Sequence, residues 1–400
     1  MPYSLAKQAY GLSFRDQSSL IASCLESGMS LSDKLEELGL SYNDLTYLDS
    51  NRKLWTGRKA ASLKDFKKSS KKIQFVSFFT GCGGIDLGLE ALGFQHVAGF
   101  EINELFCKTL RSNRPKWKIF GPPSHSGDVS KFDECAESLS SLIPIEFEGV
   151  FVGGPPCQPF SIAANQRFSK SGDNFKRTGF GHESKGNLLF EYLALILKFR
   201  PKVFVIENVP GLRDIDSGEQ LAEAVSIMKE AGYTVPEPQV LDASNFSIPQ
   251  NRKRLFVIGH RTSVAWAWPK PHAQKVGCGS VLYDATLTGV NTETRMHNAG
   301  SVKRYMNLEY GKRDKLGRVD RLDPTLPSKT VIAGGINGGG RSHLHPEVPR
   351  TLSVRECARL QTFPEDYRFK GPTARQFTQV GNAVPPVLAA EIGVQLAKLF

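Results

Sequence analysis

From Lys72 to His260 the chain repeats one rhythm, in which short apolar runs rich in β-branched and aromatic residues alternate with stretches of helical spacing. The run "KIQFVSFF" ends at "TGCGG", after which "IDLGLEALGF" has the spacing of an amphipathic helix and closes at Gly93. The segments "HVAGFEI", "FEGVFVGG", "KVFVIENV" and "RLFVIGH" repeat the strand texture, and "NLLFEYLALILKF" repeats the helical one. Apolar runs too short for helices, separated by helices, are what a parallel sheet covered on both faces requires. The expected class is therefore α/β, with a doubly wound, mostly parallel sheet. The rhythm stops from Arg261 to about Arg350, where Gly, Asn, Thr and Arg are frequent and "AGGINGGGRSH" would suit no regular element. That region predicts a second, smaller, loop-rich domain. The helical texture returns in "LSVRECARLQTF" and in "AVPPVLAAEIGVQLAKLF", whose Pro385 and Pro386 suit a helix start and whose apolar content lets it pack back on the sheet. The expected division is a helical extension at 1–50, a basic linker at 51–72, the sheet domain at 73–260, the small domain at 261–375 and a segment at 376–400 that completes the sheet domain.

Charge and cysteine usage narrow the partners. Lys and Arg number 51 against 40 Asp and Glu among 400 residues, a formal +11, which favours a polyanionic partner such as nucleic acid. The excess is local: nine basic residues against Asp65 alone between Arg52 and Lys72, and twelve against six acids between Arg261 and Lys329. Each reads either as a solvated surface or as a face that touches phosphates. The seven cysteines are scattered and never form a C-x-x-C pair, so neither a disulfide framework nor a metal site is expected. No run of eighteen apolar residues and no apolar signal core is present, and a cytoplasmic protein without membrane association is expected. Near the N-terminus, Ser32 or Asp33 could cap a helix that Gly39 ends, with Ser41 capping the next. Leu35, Gly39 and Leu45 have helix-turn-helix spacing, but Leu35 occupies a position where that motif wants a small residue, and a helical extension is the preferred reading.

Four clusters carry candidate chemistry. In "FEGVFVGGPPCQPFS" the prolines at 155, 156 and 159 hold Cys157 on a rigid loop after an apolar strand, where open α/β sheets place their reactive groups. In "FTGCGG", residues 79–84, glycines between strand and helix let a ligand approach the backbone, and Glu101 follows about twenty residues later, able to hold ribose hydroxyls. The G-x-G-G spacing departs from G-x-G-x-x-G and favours a ligand without a pyrophosphate. Glu207 stands at a strand end, where a salt bridge is the plainer role. Gln250, Arg252 and Arg254 alternate with period two and would share one face of an extended segment.

Taken in order, "FVSFFTGCGGIDLGLEALGF", "FEINE", "GDVS", "GGPPCQPFS", "GNLLFEYL", "ENVPGL", "QNRKRLFVIG", "RECARLQTFPEDY" and "QVGNAVPP" resemble the motif series of DNA (cytosine-5) methyltransferases over residues 73–260 and 351–400. The resemblance implies a Rossmann-like fold binding S-adenosyl-L-methionine, with 73–260 as the catalytic domain and 261–375 as a target-recognition domain. It implies that Cys157 adds as a thiolate to C6 of a flipped-out cytosine, that Glu207 acts as general acid at N3, and that Arg254 contacts the base, with Arg252 and Gln250 beside it. For the methyl donor it assigns Phe79 to the adenine face, the backbone of Gly81, Cys82, Gly83 and Gly84 to the methionine part, Glu101 to the ribose and Asp128 to the adenine amino group. Ile102, Val129, Pro156, Asn382 and Val384 complete that pocket. Ser77, Thr80 and Cys82 depart from the usual aspartate, alanine and leucine, which bears on donor affinity. The loop following Cys157 would close over the extruded base, residues 261–350 would read the major groove, and "RECARL" would organise the small domain. The implied partner is double-stranded DNA bound by a monomer, in the modification half of a restriction-modification system. Methylation of RNA cytosine would use the same motifs, and the N-terminal helices could add transcriptional regulation. A dehydrogenase would explain neither Cys157 nor Gln-x-Arg-x-Arg.

Overall fold

The computed structural model describes residues 12–48, 55, 57–156, 188–214, 218–283, 289–316, 319–333 and 343–400. The chain forms two compact units, one comprising 1–61, 247–251 and 273–382, the other 62–246, 252–272 and 383–400.

The second unit is built on a seven-stranded sheet of β1 (Gln74–Phe78), β2 (Gln95–Phe100), β3 (Ile119–Phe120), β4 (Val150–Gly153), β5 (Val203–Asn208), β6 (Gln239–Asp242) and β7 (Lys253–His260). Their order across the sheet is β3-β2-β1-β4-β5-β7-β6, with β1 to β5 parallel and β7 antiparallel to both its neighbours. This is the doubly wound, Rossmann-like α/β fold. The strand order reverses between β1 and β4, and in open α/β sheets the carboxyl ends of the strands at such a reversal are where ligands bind. β4 is buried throughout, as are Val203 to Ile206 of β5, which is why both read as unbroken apolar runs instead of alternating ones.

On one face the Leu188–Phe199 helix buries Leu189, Tyr192, Leu193, Leu195, Ile196 and Phe199 in a core with Phe78, Phe100 and Phe151. Elsewhere in this unit the Gly84–Ala91 helix meets the Pro386–Leu396 helix at contact distance. A Cβ on Gly84 would lie 2.2 Å from the Val384 carbonyl oxygen, and one on Gly88 would lie 2.4 Å from that of Pro386, so both positions require glycine. The late apolar segment thus packs back into the sheet unit, starting with Pro386 in its first turn. Residues 373–399 are apolar enough by composition to cross a membrane, but the chain breaks there into two helices and most of the stretch is buried within the protein.

The first unit takes in the N-terminal helices. Phe14–Ser27 is capped by Ser13 and stopped by Gly28 at φ 72°, and Leu31–Glu37 follows Ser30, a turn earlier than a cap at Ser32 or Asp33 would allow. Ser41 caps a single 3-10 turn. Ile21, Cys24, Leu31, Leu35, Tyr42 and Leu45 form one apolar cluster with Ala299, Val302 and Met306. Arg321 is buried between the rings of Tyr47 and Tyr310, 3.6 and 3.7 Å from their centroids. In "RECARL", Arg355 donates to the carbonyls of Val290, Pro364 and Tyr367, and Glu356 takes a two-pronged bond from Arg350, both contacts at 2.9 Å. These side chains organise the unit.

Candidate active site

The parallel strands β1, β2, β4 and β5 send their following loops to the same edge of the sheet. Because β7 runs the other way, its beginning lies at that edge too, with Asn208 opposite Leu255 and Glu207 opposite Phe256.

After β1, Phe79 adopts φ 53°, a left-handed conformation costly for a residue with a side chain. Its ring meets that of Tyr192 edge to face at 6.2 Å. Gly81 and Gly83 follow at φ 61° and 81°, and Gly83 opens the Gly84–Ala91 helix. Glu101, just beyond β2, locks this loop: one carboxylate oxygen accepts the Gly81 N–H at 2.7 Å and the other the Asn103 N–H at 2.7 Å. Burial pushes its pKa up to about 7, with the two N–H groups pulling the other way. Gly121 and Gly127 are required here, since a Cβ on either would fall within 2.3 Å of the Glu101 carbonyl oxygen.

Burial raises the Cys82 pKa far above the ordinary thiol range, so its side chain is inert and its backbone is what the loop offers. Ser77 donates to Asp86 at 3.2 Å, and Asp86 lies 3.3 Å from His96, placing a buried carboxylate behind the loop that the motif comparison alone did not reveal. Asp128 accepts from the Ser130 N–H and hydroxyl at 3.0 and 2.7 Å, while neighbouring Val129 belongs to the core. Ile102 is 60 % exposed and Pro156 is exposed, whereas Val384 is buried against Gly84. Asn382 ends the Thr373–Asn382 helix of the first unit and is exposed.

At the end of β5, Glu207 accepts from Nε of Arg254 at 2.9 Å, and the two side chains are 12 % and 13 % exposed. Burial raises the Glu207 pKa; the charges of Arg254 and Arg252 oppose it without cancelling it. Arg252 is wholly buried, which depresses its own pKa. A Cβ on Gly154 would sit 2.8 Å from Glu207 Oε2, so glycine is what allows the loop after β4 to pass beside the carboxyl group. Asn208 fastens that loop, donating through Nδ2 to the Pro155 carbonyl at 3.1 Å while its Oδ1 accepts the Val209 N–H at 2.8 Å. Glu207, Arg252 and Arg254 are thus gathered in one place. Gln250 is used otherwise: within the first unit its Nε2 donates to Gln361 at 2.9 Å and to the Leu360 carbonyl, and its Oε1 accepts the Val331 N–H at 2.8 Å. Cys157 and the loop after it lie outside the described residues. Among the described residues no group of His, Cys, Asp and Glu has a metal-binding arrangement.

The model of the family of C-5 cytosine-specific DNA methylases matches residues 73–398. The chain belongs to that family. As a C-5 cytosine-specific DNA methylase, it is a DNA (cytosine-5) methyltransferase acting on DNA. It is 30 % identical to the Type II methyltransferase M.Eco47II of Escherichia coli, over 94 % of this chain and 97 % of that one. It is also 30 % identical to M.PspPI of Psychrobacter, over 83 % and 80 %, and 31 % identical to M.MthTI of Methanothermobacter thermautotrophicus, over 82 % and 97 %. Among solved structures, the methyltransferase EhMeth of Entamoeba histolytica superposes with a TM-score of 0.57 at 15 % identity, over 82 % of this chain and 99 % of that one, a likeness of fold.

Proposed function

We propose that this methylase modifies a specific duplex DNA sequence through a covalent bond between Cys157 and C6 of an extruded cytosine, with S-adenosyl-L-methionine as methyl donor. The observation that carries the reading is the Glu207 carboxyl group, buried, bonded to Arg254 and fitted against Gly154, three residues before Cys157.

C5 of cytosine is a weak nucleophile. Addition of the Cys157 thiolate to C6 moves electron density toward N3 and O2 and leaves C5 enamine-like. Glu207, whose proton affinity is raised by burial against the opposing charges of Arg254 and Arg252, is the acid that donates to N3 as that charge develops, and Arg254 fixes its orientation. The donor supplies an electrophilic methyl group on a sulfonium. The residues around Glu101 suit such a ligand. The Gly81–Gly83 backbone is open to close approach, and the Glu101 carboxylate, with one N–H on each oxygen, keeps lone pairs for ribose hydroxyls. Phe79 offers a ring face for adenine and Asp128 an acceptor for its amino group. After methyl transfer, loss of the C5 proton to water, return of the N3 proton to Glu207 and cleavage of the C6–S bond release 5-methylcytosine and the free thiolate. The Type II methyltransferases among its relatives support a role as the modification enzyme of a restriction system.

Duplexes carrying 5-fluorocytosine block the final proton loss and test the mechanism. With donor present, the wild-type enzyme is expected to form a stable adduct whose peptide maps to Cys157, and Cys157→Ser is expected to bind DNA but form no adduct and no 5-methylcytosine. Turnover by Cys157→Ser, or an adduct through another residue, would refute the mechanism.

A further inference from the structure

The region 261–329 carries twice as many basic residues as acidic ones, and the first unit sorts them by depth. Asp314 and Asp320 are turned inward, 3 % and 2 % exposed, while Lys312, Arg313, Lys315 and Lys329 face solvent. Both oxygens of Asp320 are engaged. Arg313 donates through Nε to Oδ1 and through Nη2 to Oδ2, each at 2.9 Å, and Lys329 Nζ donates to Oδ1 at 2.8 Å. The two cationic side chains are nevertheless 55 % and 57 % exposed.

One carboxylate against two cations leaves an excess positive charge at the surface. Arg313 uses only part of its guanidinium fork on Asp320, and Lys329 uses one of its ammonium donors, so both keep outward N–H groups for a second oxyanion. Because the buried carboxylate already orders two long side chains, little conformational entropy remains to be lost when an anion arrives. Burial works against ionisation of Asp320, and the two cations overcome it and hold its pKa below the ordinary range. Neither cation belongs to the catalytic cluster.

We propose that Arg313 and Lys329, splayed from Asp320, clamp one backbone phosphate of the DNA duplex and so fix the register of this unit on its substrate without reading a base. The proposal rests on the DNA-modifying role argued above. Phosphate contacts of this kind position a protein and carry no sequence information, and each one releases counterions.

The test uses the full-length enzyme and a plasmid fragment that it methylates, with binding measured over a range of salt concentrations. Arg313→Ala and Lys329→Ala are each expected to weaken binding several-fold at moderate salt. A triple variant, Asp320→Asn with both alanines, removes the clamp without stranding a buried charge. It is expected to lower the steepness of log K against log salt by about one. Bisulfite sequencing should find the same methylated positions in every variant. An unchanged slope in both single variants and the triple, or an altered set of methylated sites, would overturn the clamp. A purely structural role would shift the melting temperature and leave the slope alone, and that result also counts against it. If the wild-type protein methylates no DNA at all, the functional reading fails, which is a separate outcome.

Discussion

Glu101 does two tasks with one carboxyl group. It ties the Gly81 loop to the start of the next helix through two backbone N–H groups, and in the function proposed above it also takes the donor's ribose hydroxyls. With its pKa near 7 the group is largely protonated below neutrality, so donor affinity is expected to tighten as pH rises through 7. The change should be at most about tenfold per pH unit, and Glu101→Gln should flatten it; calorimetric titration with S-adenosylmethionine at several pH values checks both. The pairing of Glu101 with the glycine loop was legible in their spacing of about twenty residues, and its carboxylate does accept the Gly81 N–H. Gln250 was less so. Period two aligned it with Arg252 and Arg254, but the chain passes from one unit to the other just after Asn251, and its amide is consumed by Gln361, Leu360 and Val331. Local spacing cannot register such a crossing. Asp86 was hidden for a related reason: only folding brings it to Ser77.

At the scale of elements, the strands were readable because burial on both faces leaves a continuous apolar run. The reversed direction of β7 was not, since hydrophobic pattern is blind to polarity; yet that reversal is what sets Arg254 beside Glu207. The N-terminal helices repay attention here. Leu31 and Leu35 are each 1 % exposed and packed with Ala299, Val302 and Met306, so the Leu31–Glu37 helix belongs to a core. Leu35→Ala is expected to cost about 2–5 kcal/mol in urea unfolding, and deletion of residues 1–48 to abolish methylation by uncovering that cluster. A separable regulatory module would instead leave methylation intact when deleted, an outcome that a radiolabelled methyl-transfer assay reads directly.

For the molecule as a whole, acid is the revealing stress. Burial holds His297 and His345 down at about 4, with Arg295 and Arg350 adding to the effect at His297 and Glu356 opposing it at His345, so folding opposes protons that the unfolded chain would take up near 6.5. That contribution to stability is complete above 6.5 and is lost as pH falls toward 4. Burial alone would raise Glu356, but Arg350 outweighs it and holds the carboxyl at about 2, so a second contribution, present above the ordinary carboxylate value of 4.5, disappears between 4.5 and 2. Thermal melts are expected to show the melting temperature dropping across both windows, with His297→Gln blunting the upper one.

The contact of Gly84 and Gly88 with Val384 and Pro386 has a temporal side. Residues 62–272 leave the ribosome long before 383–400, with the whole of 273–382 synthesised between them, an interval of order ten seconds at about 5–20 residues per second. Throughout that interval the Gly84–Ala91 helix, at whose start the glycine loop after β1 ends, lacks its partner helix. A nascent chain therefore carries this half-built loop in advance of the segment that backs it, and a chain truncated before residue 383 never acquires that segment.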